Sequence, residues 1–147
     1  MRERITVLKK SLSANDLGRT GSHQVGVVIP KNLAMSSFFP TLPYEEVNPR
    51  RILTFADSDT GETISVNFIY YNNKRRGKSR DEFRMTGISA YCRSRGAEVG
   101  DILEMRLLDD GRRLIRVLDG RTSDEEVNTS ADSIMLSGKW VTIGRVT

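Results

Sequence analysis

"RILTFADSDTGETISVNFIYY", Arg51 to Tyr71, is the stretch on which the fold turns. Two runs rich in β-branched and aromatic residues flank a polar pentapeptide, Ser58 to Glu62, in which Thr60-Gly61 supplies a hairpin turn. The spacing predicts strands over Arg51–Asp57 and Thr63–Tyr71. The same grammar repeats downstream: "DILEMRLL" (Asp101–Leu108) and "RLIRVL" (Arg113–Leu118) flank Asp110-Gly111. "RITVLK" (Arg4–Lys9) alternates, "VGVVIP" (Val25–Pro30) is a short β-branched run closed by proline, and "KWVTIGRV" (Lys139–Val146) makes a seventh strand. Helix is confined to "KNLAMSSFF" (Lys31–Phe39) before Pro40 and "ISAYCRSRG" (Ile88–Gly96), ended by its glycine. The fold class is therefore mainly β: seven strands in an open or half-open barrel, with short helices.

Composition narrows the function. A chain of 147 residues, 37% hydrophobic and 29% charged, builds one globular core, so residues 1–147 are read as a single domain. No apolar run approaches the roughly 20 residues of a membrane span, and "MRERITVLKK" lacks a secretory apolar region. With Cys92 alone, neither a disulfide framework nor a cysteine metal site is available. A cytoplasmic protein with no membrane partner is expected. The acidic stretch Asp119–Asp132 reads as a solvated loop away from the basic surface.

Two connections are long for a small domain: Ser11–Gln24 and Asn72–Arg84 are both polar. Loops beyond about 12 residues are commonly functional, so they are expected to act as two grasping elements. The second is strongly basic. Lys74, Arg75, Arg76, Lys78, Arg80 and Arg84 against Asp81 and Glu82 give +4, which equals the net charge of the whole chain. The rest of the protein is neutral, so the charge is a local device aimed at an anionic partner.

A phosphate clamp needs only cations, whereas a reader of base edges needs both signs. Arginine donates a bidentate pair to guanine and glutamate accepts from the amino group of cytosine. Lys78, Arg80, Glu82 and Arg84 are spaced by two, so in an extended segment they share one face. This face fits the major groove of DNA. Lys74, Arg75 and Arg76 then hold phosphates, with Asn73 at the start of the run. On the first connection His23 sits near Arg19 and Gln24, all able to bond bases or phosphates. A lone histidine is a poor metal ligand and finds no oriented serine partner, so recognition is the expected role.

Two rival readings stand beside this one. The first is a small metal-dependent nuclease using Asp101 and Glu104, but along a strand these point to opposite faces, and Glu104 reads as an outward residue. The second is RNA binding, for which Phe83 is the one aromatic in the basic segment available for stacking. Cys92 and Trp140 read as core residues.

The two connections also carry a resemblance. "LSANDLGRTGSHQVGVVIPK" (Leu12–Lys31) and "IYYNNKRRGKSRDEFRMTG" (Ile69–Gly87), joined by an "FFP" stretch, resemble the N-terminal, effector-binding domain of EcoRII-type restriction endonucleases. The resemblance covers roughly the first 90 residues and is loose beyond Ile88. It implies a seven-stranded open pseudobarrel shared with plant B-three domains, with two protruding arms that grip the major groove. Position by position, it implies DNA contacts at His23, Lys78, Arg80, Glu82 and Arg84. The implied partner is double-stranded DNA with a short G/C-rich site, 5′-CCWGG or a relative, where W is A or T. It also implies a bacterial protein whose nuclease catalytic domain lies elsewhere and alone needs magnesium; DNA binding needs no cofactor. A stand-alone transcription regulator of the same fold is the remaining alternative. Phe83 departs from the family lysine, so a DNA contact there is lost or becomes stacking or apolar, and Val28 is smaller than the aromatic found there.

Overall fold

The computed structural model describes residues 4–19, 26–72, 81–120, 133–136 and 140–146. Its centre is the expected hairpin, β3 (Arg50–Asp57) and β4 (Thr63–Tyr71). Leu53, Phe55, Val66 and Phe68 alternate inward and are buried, as period-two patterning demands. Gly61 takes φ +79° in the turn, and Asp57 Oδ1 accepts from the backbone N–H groups of Asp59 and Thr60, closing an Asx turn.

The remaining strands are β1 (Arg4–Ser11), β2 (Val27–Ile29), β5 (Glu82–Thr86), β6 (Ile102–Leu107), β7 (Arg113–Leu118), β8 (Ser133–Leu136) and β9 (Trp140–Val146). They form one sheet in the order β2-β5-β4-β3-β7-β6-β1-β9-β8. All pairs are antiparallel except β3 with β7, which meet in parallel at Ala56–Leu114 and Asp57–Ile115. The sheet curls into an open barrel, the expected fold class. The described strands number nine rather than seven. β5 lies inside what reads in sequence as loop, because its charged residues mask an inward pair, Phe83 and Met85. β8 follows the acidic stretch, where no strand is expected.

The described residues hold two short helices. In α2 (Ile88–Ser94), Ile88, Tyr91 and Cys92 form one buried face at helical spacing. A Schellman end stops it: Gly96 takes φ +74°, its N–H donates to Arg93, and the Ala97 N–H reaches back to Cys92. The other helix, α1 (Lys31–Ala34), is shorter than the expected Lys31–Phe39. Ser36 Oγ donates to the Leu33 carbonyl, the competing bond that favours turns over helix, and Phe38 and Phe39 turn into the core instead. Among the described residues, no helix is long and apolar enough to cross a membrane.

The core runs through Trp140, Phe38, Phe55 and Phe68, and Cys92 is buried within it as expected. Burial pushes the Cys92 thiol up to about 12, with the Asp16 charge adding to the rise. The acidic stretch from Arg121 to Asp132 lies outside the described residues.

Candidate nucleic-acid interface

The long connections enter and leave the sheet through fixed anchors. After β1, Leu12 and Leu17 are buried, so the first half of Ser11–Gln24 is packed structure and not an arm. Ser13 and Asp16 cap each other: the Ser13 N–H donates to Asp16 Oδ2 at 2.9 Å and the Asp16 N–H to Ser13 Oγ at 3.1 Å. Lys10 pairs with the same Asp16 carboxylate inside the protein. Arg93 of α2 donates to the Leu17 carbonyl at 2.9 Å, and Arg19 donates to Glu98 Oε2 and the Ala97 carbonyl, each at 3.2 Å. Arg19 is thus engaged at the root of the connection, against α2, rather than held ready at a tip.

The second connection is anchored at both ends. Asn72 accepts from the Asn48 N–H at 2.9 Å, donates its own N–H to Asn48 Oδ1 at 3.2 Å, and reaches the Glu46 carbonyl at 2.6 Å. Asn48 takes φ +47°, a left-handed conformation that asparagine tolerates. At the far end Asp81 accepts from Tyr70 Oη and from Lys31 Nζ. Asn72 and Asp81, the described residues on either side of 73–80, are thus both fixed to the body of the protein.

β5 sorts the sequence-selected residues into two faces. Glu82 and Arg84 share the outer one, as the period of two requires. Phe83 does not join them. It is 3% exposed, pairs with Tyr70 across the sheet, and stacks on Tyr70 at 4.5 Å and Phe68 at 5.6 Å. Its place among the contact residues is corrected: the odd parity that removes it from the reader face makes it a core ring. It also lines an open pocket of about 400 Å³ with Lys31, Met35, Tyr44 and Tyr70.

Arg84 is on the expected face, yet only 2% exposed. Nε donates to Glu82 Oε1 at 2.8 Å and Nη1 to the Gly26 carbonyl at 3.2 Å. Its head group bridges the return strand of the second connection to the exit of the first, so in this state its donors hold the protein together. Gly26, at φ +91°, is required there, because a Cβ would stand 2.3 Å from the Met85 carbonyl oxygen. His23, Gln24, Asn73, Lys74, Arg75, Arg76, Lys78 and Arg80 lie outside the described residues.

The rival carboxylates are spent on structure. Asp101 accepts from the N–H groups of Glu98 and Gly120, closing turns. Glu104, expected outward, is 1% exposed. Cross-strand pairing sets it between Lys9 and Arg116, and it binds Lys9 Nζ at 3.5 Å, Arg106 Nε at 2.8 Å and Arg116 Nε at 2.7 Å. Burial pushes its carboxyl up, but the Arg116 and Arg106 bonds and charges outweigh this and hold it below the ordinary glutamate value. Among the described residues, no three His, Cys, Asp or Glu side chains gather into a metal site.

Residues 2–95 match the family model of the N-terminal region of restriction endonuclease EcoRII. The chain belongs to the EcoRII N-terminal family. It is 41% identical over 86 residues to the type II restriction enzyme EcoRII of Escherichia coli, covering 57% of this chain and 21% of that enzyme. It therefore spans about a fifth of the length of this curated relative. Fold similarity extends further than the sequence match. The UbaLAI restriction endonuclease B3 domain with cognate DNA covers 98% of this chain and 88% of its own at TM-score 0.62 and 19% identity. The Arabidopsis FUS3–DNA complex covers 76% and 94% at TM-score 0.58 and 17% identity. These likenesses show the fold alone, the open pseudobarrel of B3 domains. In this EcoRII N-terminal family member, both long connections fall inside the matched segment, while β6 to β9 lie beyond it and are carried by fold alone.

The sequence reading missed the anchors: Lys10, Asp16, Asn72, Asp81, Arg93 and the Gly26–Arg84 bond. Only the Ser13–Asp16 capping box has a local signature. The others join residues from 6 to 76 positions apart, with no local pattern to mark them.

Proposed function

We propose that this chain is a sequence-specific double-stranded DNA-binding domain without catalysis of its own, the effector or specificity domain of a type II restriction endonuclease. Its target is a short G/C-rich site, 5′-CCWGG or a relative. The nuclease domain it serves, which alone needs magnesium, is a separate part of the enzyme in the bacterial cytoplasm. The observation that carries this reading is that Glu82 and Arg84 share the face of β5 opposite the core ring Phe83, within a segment matched to the EcoRII N-terminal family. Arg80 and Lys78 continue the same parity in sequence, giving donors and an acceptor for G·C edges. Lys74, Arg75 and Arg76 hold phosphates and set the register. His23, with Gln24, contacts the duplex from the first connection.

The reading is tested by binding a labelled duplex bearing one CCWGG site and the same duplex scrambled, at near-physiological salt. A preference of roughly a thousandfold or more is expected of a specific reader. Equal binding to both would reduce the basic segment to a non-specific clamp.

A further inference from the structure

The outer face of β5 does not end at β5. Val28 of β2 pairs with Arg84, Arg84 pairs with Ile69 of β4, and Ile69 pairs with Arg50 of β3. Residues directly opposed in antiparallel strands project to the same side. Val28, Arg84, Ile69 and Arg50 therefore form one row across four strands, and Arg50 faces the same way as Glu82 and Arg84. Two strand spacings, about 10 Å, separate its backbone from that of Arg84.

Arg50 also differs from its neighbours in how its head group is used. Arg19, Arg84, Arg93, Arg95, Arg106, Arg112, Arg113 and Arg116 each bond a carboxylate or a backbone carbonyl. Arg51 donates to the Arg50 carbonyl. Among the arginines whose side chains are described, Arg50 alone is exposed with a guanidinium bonded to no residue of the protein. The fold uses its other described arginines internally and leaves this one on the reader face.

We propose that Arg50 is a further DNA-contacting residue, which takes a backbone phosphate of the duplex read by the second connection. This rests on the DNA-binding reading above and extends its footprint from the basic segment, where sequence places it, onto β3. With its backbone about 10 Å from that of Arg84, Arg50 would meet the flank of a duplex read by Arg84, where phosphates rather than base edges lie. Such a contact positions the duplex and carries no sequence information. Phosphate neutralisation releases counterions, so it appears as a fixed increment in salt dependence.

The experiment measures log Kobs against log salt for the wild type, Arg50→Ala, Arg50→Lys and Arg112→Ala, each on the CCWGG duplex and its scrambled form. Arg50→Ala is expected to reduce the slope by about 0.9 and to weaken both duplexes by the same factor. Arg50→Lys keeps a cation and is expected to restore the slope. Arg112 sits in the turn before β7, whose Leu114 pairs with Ala56 at the far end of β3, roughly 20 Å along that strand from Arg50. Its removal lowers net charge by the same amount and should leave the slope unchanged. An unchanged slope for Arg50→Ala, or one equal to that of Arg112→Ala, would overturn the proposal. So would a loss confined to the CCWGG duplex, which would make Arg50 a base reader. A wild type that binds neither duplex would remove the DNA-binding reading itself, and this proposal with it. The urea midpoint of Arg50→Ala should match wild type, because the side chain is exposed and unbonded.

Discussion

Trp140 Nε1 donates to the Val28 carbonyl at 3.1 Å, joining β9 to β2 across the opening of the barrel. β2 is one edge of the nine-stranded sheet and β9 is next to the other, so a side chain closes what the backbone ladder leaves open. The indole is fully buried in the core it helps to seal. Trp140→Phe keeps most of the ring but loses the donor, and should cost about 1 kcal/mol, the worth of one bond to a part-buried carbonyl. Trp140→Ala should cost about 3–5 kcal/mol. Urea denaturation followed by far-UV circular dichroism measures both.

Gly26 is the residue where the first connection meets β5. Gly26→Ala combines a positive φ with a Cβ 2.3 Å from a strand carbonyl, and should cost about 3 kcal/mol or more. Gly61 shares the positive φ, but its Cβ would meet open space. Gly61→Ala should lose only about 1–2 kcal/mol. Equal shifts in thermal midpoint would mean that strain alone, and not the contact with β5, decides Gly26.

Arg84 and Arg80 should separate. Arg84→Ala breaks bonds to Glu82 and Gly26, so it should lower the urea midpoint as well as DNA affinity. Arg80→Ala should cost about 1–3 kcal/mol on the cognate duplex and flatten discrimination. Arg75→Ala should weaken all duplexes alike and reduce the salt slope by roughly one ion. Identical behaviour of Arg80→Ala and Arg75→Ala in the binding assay would refute the division into readers and clamps.

Glu104 makes stability depend on acid. Its folded pKa lies below the ordinary 4.5, so its contribution is fully present above that value and is lost as pH falls through the folded pKa. The denaturation midpoint should therefore decline on acidification below about 4.5. Glu104→Gln should cost about 3 kcal/mol at neutral pH, near the low end for breaking a buried pair because Arg106 and Arg116 keep some contact with solvent. It should also flatten that part of the acid slope.

Cys92 should be inert in the folded protein. A thiol buried in the core with its pKa pushed up to about 12 carries almost no thiolate at neutral pH. A thiol-specific reagent should label it only at the rate of unfolding, and rapid stoichiometric labelling in native buffer would contradict its burial.

The hairpins were legible because their signals are local. Thr60-Gly61 and Asp110-Gly111 carry the turn chemistry themselves, and Gly61 and Gly111 adopt the positive φ that this requires. Ile88, Tyr91 and Cys92 show helical spacing without reference to anything else in the chain. The charge excess of Lys74–Arg84 is equally local, and so are the motifs that mark the EcoRII N-terminal family. Turn positions, strand parity and the chemistry offered by each segment thus follow from short stretches of the chain alone.

Parity, however, says only that two faces differ and not what covers each. Phe83 and Arg84 were sorted by β4, which supplies Tyr70 and Phe68, and by the entry to β2, where Gly26 offers its carbonyl. Glu104 became the hub of a buried charge cluster because β1 and β7 place Lys9 and Arg116 on either side of it, an arrangement set by strand order. The closure of the barrel by Trp140, and the row that brings Arg50 onto the face of Arg84, are decisions of the same kind. They rest on which strands become neighbours, and that order is settled by burying one shared core, a sum over the whole chain that no short segment encodes.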